Sequence, residues 1–142
     1  MEAIGKARKI ADVHFGVELR DWQAEPIADV YSRKDVIVSA GTGSGKSMVF
    51  QCLPFMMNGG IILVVSPLLS LMHDQVSAIQ TIVEGIYLWK QVTSLVNKGI
   101  SAVAITADGI RNDPEIWKKV ERGVYRIVYT SPEVLLGPGS YF

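Results

Sequence analysis

Val36-Ile37-Val38-Ser39-Ala40-Gly41-Thr42-Gly43-Ser44-Gly45-Lys46-Ser47 opens as a short β-branched run, breaks into glycines and closes on Gly-Lys-Ser at the head of a helical pattern. Each part of that order has a physical use. Glycines let the backbone curl so that successive N–H groups face inward, where they can bind phosphate oxygens. The helix behind them adds the positive end of its dipole. A lysine at this place reaches the β- and γ-phosphates of ATP, and the next hydroxyl ligates Mg2+. Thr42, Gly43, Ser44, Gly45, Lys46 and Ser47 are therefore the candidate cofactor-binding residues, with ATP and Mg2+ as the cofactors. Lys46 and Ser47 are the candidate catalytic pair, and Ser47 is the candidate metal ligand. A flexible glycine-rich turn carrying a surface lysine has no need of a strand before it and a helix after it.

Working outward, three more apolar runs follow: Ile61–Val65, Ala102–Ile105 and Tyr125–Tyr129. All are continuous rather than alternating, which predicts strands covered on both faces. Helical patterns lie between the runs. Asp21–Tyr31 precedes the first run, and Lys46–Met57 follows it up to the stop signal Asn58-Gly59-Gly60. Ser66-Pro67 opens another helix, with Ser as N-cap and Pro in the first turn. Asp113-Pro114-Glu115 opens a third, which closes at Gly123. Strand and helix in alternation predict βαβ units and a mainly parallel sheet. The expected class is α/β, a three-layer P-loop nucleotide-binding fold, with residues 1–142 as one domain.

Composition narrows the setting. Hydrophobic residues make up 49% and charged residues 20% of the 142, which excludes a disordered chain. Fourteen basic residues balance fourteen acidic ones, so any nucleic-acid site has to be local. The single cysteine, Cys52, excludes an internal disulfide and a cysteine-rich zinc site, and reads as a small core residue. No apolar run is long enough to span a bilayer, and no membrane partner is expected. An intracellular protein is expected.

The segments flanking the loop resemble a RecQ-like DNA helicase of superfamily 2. Leu19-Arg20-Asp21-Trp22-Gln23-Ala24-Glu25 is similar to that family's adenine-recognition motif. The resemblance implies that Gln23 bonds the adenine edge, since an amide donates and accepts at once, and that Arg20 stacks on the base. Loops of this group commonly carry Ala where Ala40 stands. Val65-Ser66-Pro67-Leu68-Leu69-Ser70-Leu71-Met72-His73-Asp74-Gln75 resembles motif Ia in its RecQ form and lacks the arginine of the RNA-unwinding version. Tyr129-Thr130-Ser131-Pro132-Glu133-Val134-Leu135 resembles the Thr/Ser-Pro-Glu motif. Both Ser-Pro junctions fall at the carboxyl edge of the predicted sheet, where ligands bind in open α/β folds. Helix starts there offer N–H groups to a nucleic-acid backbone. Ser66, Pro67, Thr130 and Ser131 are thus the candidate DNA-binding residues, for a single strand or a partly unwound duplex. His73 reads as a solvated helix residue, and Lys118-Lys119 beside Trp117 as an ordinary charged helix face.

What the resemblance implies is the ATP-binding front part of a RecA-like motor domain, incomplete at its C-terminus. The whole enzyme would couple ATP hydrolysis to 3′-to-5′ translocation on DNA in the nucleus, in repair and recombination. The Asp-Glu motif that anchors Mg2+, and the second motor domain with its arginine finger, are expected beyond this chain, which alone would bind ATP without unwinding. Two other readings stand beside this one: a nucleotide- or DNA-binding module without turnover, and a non-motor P-loop phosphotransferase. Val76–Gln91 is longer than the family pattern allows. Kept as helix at about 100° per residue, it would turn Leu95 and Val96 away from the stripe of Leu68, Leu71 and Met72. It reads as a genuine insertion or as a retained intron, because Val76 must be encoded from GT and Gln91 can be CAG. Sequencing the transcript across this junction separates the two.

Overall fold

A computed structural model of the chain describes residues 1–41, 43–66 and 89–137, apart from the side chain of Asp108. Two compact units divide the chain, Met1–Gly60 and Ile61–Phe142.

The first unit holds α1 (Glu2–Ile10), a π-helical turn (Ala11–Phe15), α2 (Asp21–Tyr31), α3 (Met48–Gln51) and α4 (Leu53–Met56). Small side chains let α1 and α2 approach: Ala7 and Ala24 are fully buried, and Ile27 and Ala28 are buried too. Arg8 joins the two helices by donating to the Leu19 carbonyl and pairing with the Asp21 carboxylate at 2.5 Å. Gly16, at φ 64°, ends the π-helical turn in the left-handed conformation that costs glycine nothing. That turn sets His14 flat against Phe55, with ring centroids 4.0 Å apart, and Phe15 edge-on to the same ring at 5.6 Å.

Lys46–Met57, expected as one helix, is two short ones that meet at Cys52. Pro54 is the reason. It has no N–H to offer the Phe50 carbonyl, and its ring crowds that carbonyl. Val36-Ile37-Val38, expected as a strand, makes no ladder among the described residues, and Ile37 is 98% exposed. Its β-branched composition sets an extended backbone, but a strand also needs a partner edge, and the run itself carries no information about one.

Cys52 is fully buried, and burial pushes its thiol up from 9.0 to about 12. Only the thiolate reacts with disulfide reagents, so Ellman's reagent should leave native Cys52 untouched at neutral pH and label it on unfolding. The folded state binds this proton more tightly than the unfolded one. The contribution is therefore complete below about pH 9 and is lost as pH rises toward 12. The melting temperature of Cys52→Ala should fall less over that alkaline window than that of the parent. Equal slopes would show that the thiol titrates as an exposed one.

The second unit is built on three parallel strands, β1 (Ile62–Val65), β2 (Ala102–Ile105) and β3 (Ile127–Thr130), in the order β1-β3-β2. β3 is central and buried along its whole length, the environment its continuous apolar run required. Val65 and Ile105 both lie level with Thr130, so the three strands finish together. Around them run α5 at residues 89–97, α6 (Ala107–Asn112), α7 (Ile116–Glu121) and α8 (Pro132–Leu136). Ile105, Ile116, Trp117, Val120 and Val128 form the core between sheet and helices.

Gly99 at φ 83° and Gly123 at φ 74° close α5 and α7, the second at the stop expected for it. α6 was not foreseen. Thr106 starts it by accepting the Gly109 N–H at 3.0 Å. The helix expected from Pro67 onward, His73 and residues 76–88 lie outside the described residues. Trp89, Lys90 and Gln91, the end of the Val76–Gln91 segment, belong to α5, in which Leu95 is buried and Val96 is 52% exposed.

Candidate nucleotide site and sheet edge

The loop is a curl held by its own backbone. Ser44 returns both its N–H (3.3 Å) and its hydroxyl (2.5 Å) to the Gly41 carbonyl. Gly43 at φ 75° and Gly45 at φ 88° take the left-handed turns that an L side chain resists. Met48, Val49 and Phe50 donate to Gly45, Lys46 and Ser47, which winds the chain directly into α3. Among the described residues, the N–H groups of Gly43, Gly45, Lys46 and Ser47 donate to no protein acceptor. That donor set is what a phosphate chain requires. Thr42 lies outside the described residues.

Lys46 occupies the mouth of the curl. Its ammonium donates to the Ala40 carbonyl at 2.6 Å and the Gly41 carbonyl at 3.2 Å, folded back over the loop it terminates. A polyanion would draw it off these neutral acceptors, because phosphate oxygens carry formal negative charge where a carbonyl carries only a partial one. Ser47 is half-buried at the N-cap of α3. No group of three acidic, His or Cys side chains suited to a metal occurs among the described residues.

Gln23 is placed by two bonds. Its Oε1 accepts the Arg20 N–H at 3.0 Å, which caps α2, and its Nε2 donates to the Gly45 carbonyl at 3.0 Å. At 5% exposure the amide joins the start of α2 to the phosphate loop. Arg20 stands at the N-cap of α2 with an exposed side chain. Trp22, which could have been plain core, is half-buried and lines a cleft of about 500 Å3 with Glu25, Pro26, Ile37, Ala40 and Ser44. Sequence reasoning offered no sign of that cleft, because it depends on how α2 lies against the loop.

At the carboxyl edge of the sheet, Ser66, Ser131 and Thr106 each follow a strand end that is level with its neighbours. They form a row. Thr130 and Ser131 are buried, and their hydroxyls are used internally. Thr130 donates to the Ile105 carbonyl at 3.3 Å, and Ser131 caps α8 by accepting the Val134 N–H at 3.2 Å. Ser66 is half-buried, with its N–H on the Thr130 carbonyl at 2.9 Å. Thr106 is the member of the row that sequence reasoning missed. Pro67 lies outside the described residues. Lys118 pairs with Glu115 at 2.9 Å and Lys119 with Asp113 at 2.5 Å, so both lysines sit on the charged helix face expected for them.

Comparison with known proteins agrees with this geometry. A profile described as DEAD/DEAH box helicase matches residues 20–138. The chain is 34% identical over 123 residues to the ATP-dependent DNA helicase Q-like SIM of Arabidopsis thaliana, covering 86% of this chain and 12% of that protein. It is 34% identical over 116 residues to the probable ATP-dependent DNA helicase RecS of Bacillus subtilis, covering 82% and 20%. To the ATP-dependent DNA helicase RecQ of Synechocystis it is 47% identical over 58 residues, 41% of this chain and 12% of that one. The chain thus spans a fifth or less of the length of these relatives. With a parallel α/β sheet, a Gly-Lys-Ser curl and this match along most of its length, the chain belongs to the DEAD/DEAH box helicase family, as a RecQ-like member.

Proposed function

We propose that the chain is the ATP-binding part of a 3′-to-5′ DNA helicase, the piece that grips MgATP and touches one DNA strand while further domains complete the motor. The observation that carries this is the loop. Among the described residues, four N–H groups of the loop donate to no protein acceptor, the Lys46 ammonium lies on carbonyls of the same loop, and Gln23 ties that loop to α2. Lys46 holds the β- and γ-phosphates, Ser47 ligates Mg2+, Arg20 and Gln23 face the base, and Ser66, Pro67, Thr130 and Ser131 position the DNA backbone, with Thr106 added to their row. Bound Mg2+ would supply charge neutralisation between phosphate oxygens.

The folded chain is expected to bind MgATP saturably in calorimetric titration, with MgADP competing, and to show no multiple turnover. Absence of saturable binding by a folded sample would sink the reading. The names of the relatives support DNA over a small-molecule phosphate acceptor. In the whole protein, ATPase stimulation by single-stranded DNA would separate a motor from a phosphotransferase. A nuclear address and a role in repair and recombination belong to the same proposal. For Val76–Gln91, the bond from Tyr129 to Gln91 at 3.0 Å supports a genuine insertion, because the last residue of the segment satisfies a core hydroxyl.

A further inference from the structure

The exposed face of α5 is unlike the rest of the surface. Trp89, Lys90, Thr93, Ser94, Asn97 and Lys98 share it and line a common groove. Residues 89–98 contain two lysines and no carboxylate. Trp89 stands 71% exposed, and Val96, one heptad further along the same side of the helix, is 52% exposed. Lys98 donates to Ser94 at 2.9 Å, which directs one ammonium along the groove.

The position of this face is fixed by one bond. Tyr129, buried one residue before the end of β3, donates its hydroxyl to Gln91 at 3.0 Å. The Gln91 side chain therefore reaches the residue next to the carboxyl end of the central strand. Trp89 and Lys90 come immediately before Gln91, and the helix then runs back past Leu95, whose side chain is buried, to the stop at Gly99. The aromatic and the first lysine stand at the end of the sheet that carries the row of Ser66, Ser131 and Thr106.

We propose that Trp89, Lys90 and Lys98 form an auxiliary binding face for single-stranded nucleic acid that leaves the carboxyl edge of the sheet. An aromatic platform with flanking cations and neutral hydrogen-bonding groups is the chemistry that holds a single strand without reading its sequence. A base stacks on the indole, and phosphates pair with the ammonium groups. The lack of any acid on residues 89–98 favours a polyanion over an acid-tolerant protein surface. This face rests on the proposed DNA path along the edge and extends it onto residues at the end of the inserted segment.

The test is anisotropy of a fluorescein-labelled oligothymidylate titrated with the chain at several salt concentrations, circular dichroism confirming that each variant is folded. Trp89→Ala should weaken binding roughly 10-fold, within the range seen for loss of one base–aromatic stack. Trp89→Phe should restore most of it. Lys90→Gln with Lys98→Gln should lower the slope of log affinity against log salt by about 0.7 for each phosphate that is no longer neutralised. Ser66→Glu, which sets a carboxylate on the edge itself, reads the underlying DNA path. If Ser66→Glu weakens binding while the α5 variants bind like the parent, the auxiliary face is wrong, its residues belong to solvent or a protein partner, and the edge path survives. If the α5 variants lose affinity and Ser66→Glu does not, the face stands and the path moves. No measurable binding by the folded parent at low salt overturns both.

Discussion

Lys46→Ala should lower the affinity of the chain for MgATP about 100-fold while leaving its far-ultraviolet circular dichroism unchanged. The ammonium meets two carbonyls in the free loop, and those bonds are between a charge and neutral acceptors. With nucleotide present, the same ammonium would face two phosphate groups. Hydrogen bonds to charged groups contribute about 1.5–3 kcal/mol each. Two of them, less the two carbonyl bonds given up, leave roughly 3 kcal/mol, or about two decades in affinity. The fold does not depend on the lysine, because Ser44 and the turns into α3 shape the curl without it. Lys46→Arg is the sharper control. It keeps the charge but needs more room than a narrow curl provides, so it should rescue little. Titration of MgATP into both variants checks this, and near-parental affinity in Lys46→Ala would mean that the loop does not hold a triphosphate.

What the sequence made legible was whatever depends on neighbours along the chain. The curl could be read because phosphate binding needs glycines, a lysine and a helix start in consecutive order, and that order is printed in residues 41–47. Gly123 marked a helix end for the same reason, a left-handed cap being a local backbone requirement. The α2 boundaries were equally plain. Three of the four expected strands formed, and their parallel pairing followed from alternation with helices. The fourth, Val36–Val38, shows the limit: composition sets an extended backbone, while pairing depends on a distant edge. The break at Cys52 was in principle readable, since Pro54 sits four residues after Phe50, but the apolar spacing ran through it. α6 was missed because Ala107-Asp108-Gly109 is a poor helix start and its stabilising feature is the Thr106 hydroxyl turned back on it. At the sheet edge the residue types were noticed and their orientation was not. The Ser131 hydroxyl turns inward to cap α8 from a buried position, and the Thr106 hydroxyl caps α6 in the same way, orientations that residue type alone does not reveal.

Gly45→Ala should cost more than any other single methyl group in the loop, through two separable effects. At φ 88° an alanine sits in a left-handed conformation that costs an L residue about 1–2 kcal/mol. The added carbon would also lie 2.8 Å from Gln23 Nε2, closer than real contacts of that kind come. Gln23 cannot step aside freely, because its amide caps Arg20 and donates to the Gly45 carbonyl from a nearly fully buried position. Either the loop opens or the cap on α2 breaks. MgATP affinity is expected to fall at least 10-fold, and the melting temperature should fall with it. Gln23→Ala alone removes the bond to Gly45 and should weaken nucleotide binding more mildly. The double variant is the informative one. Residues in contact couple by about 0.5–3 kcal/mol, so with the amide gone the methyl group has space, and the double variant should bind better than the sum of the single losses allows. The backbone cost at φ 88° remains in both backgrounds and sets the floor of the recovery. Strict additivity across the cycle, in affinity and in melting temperature, would show that Gln23 and the phosphate loop act independently and that the bond between them does not position the nucleotide site.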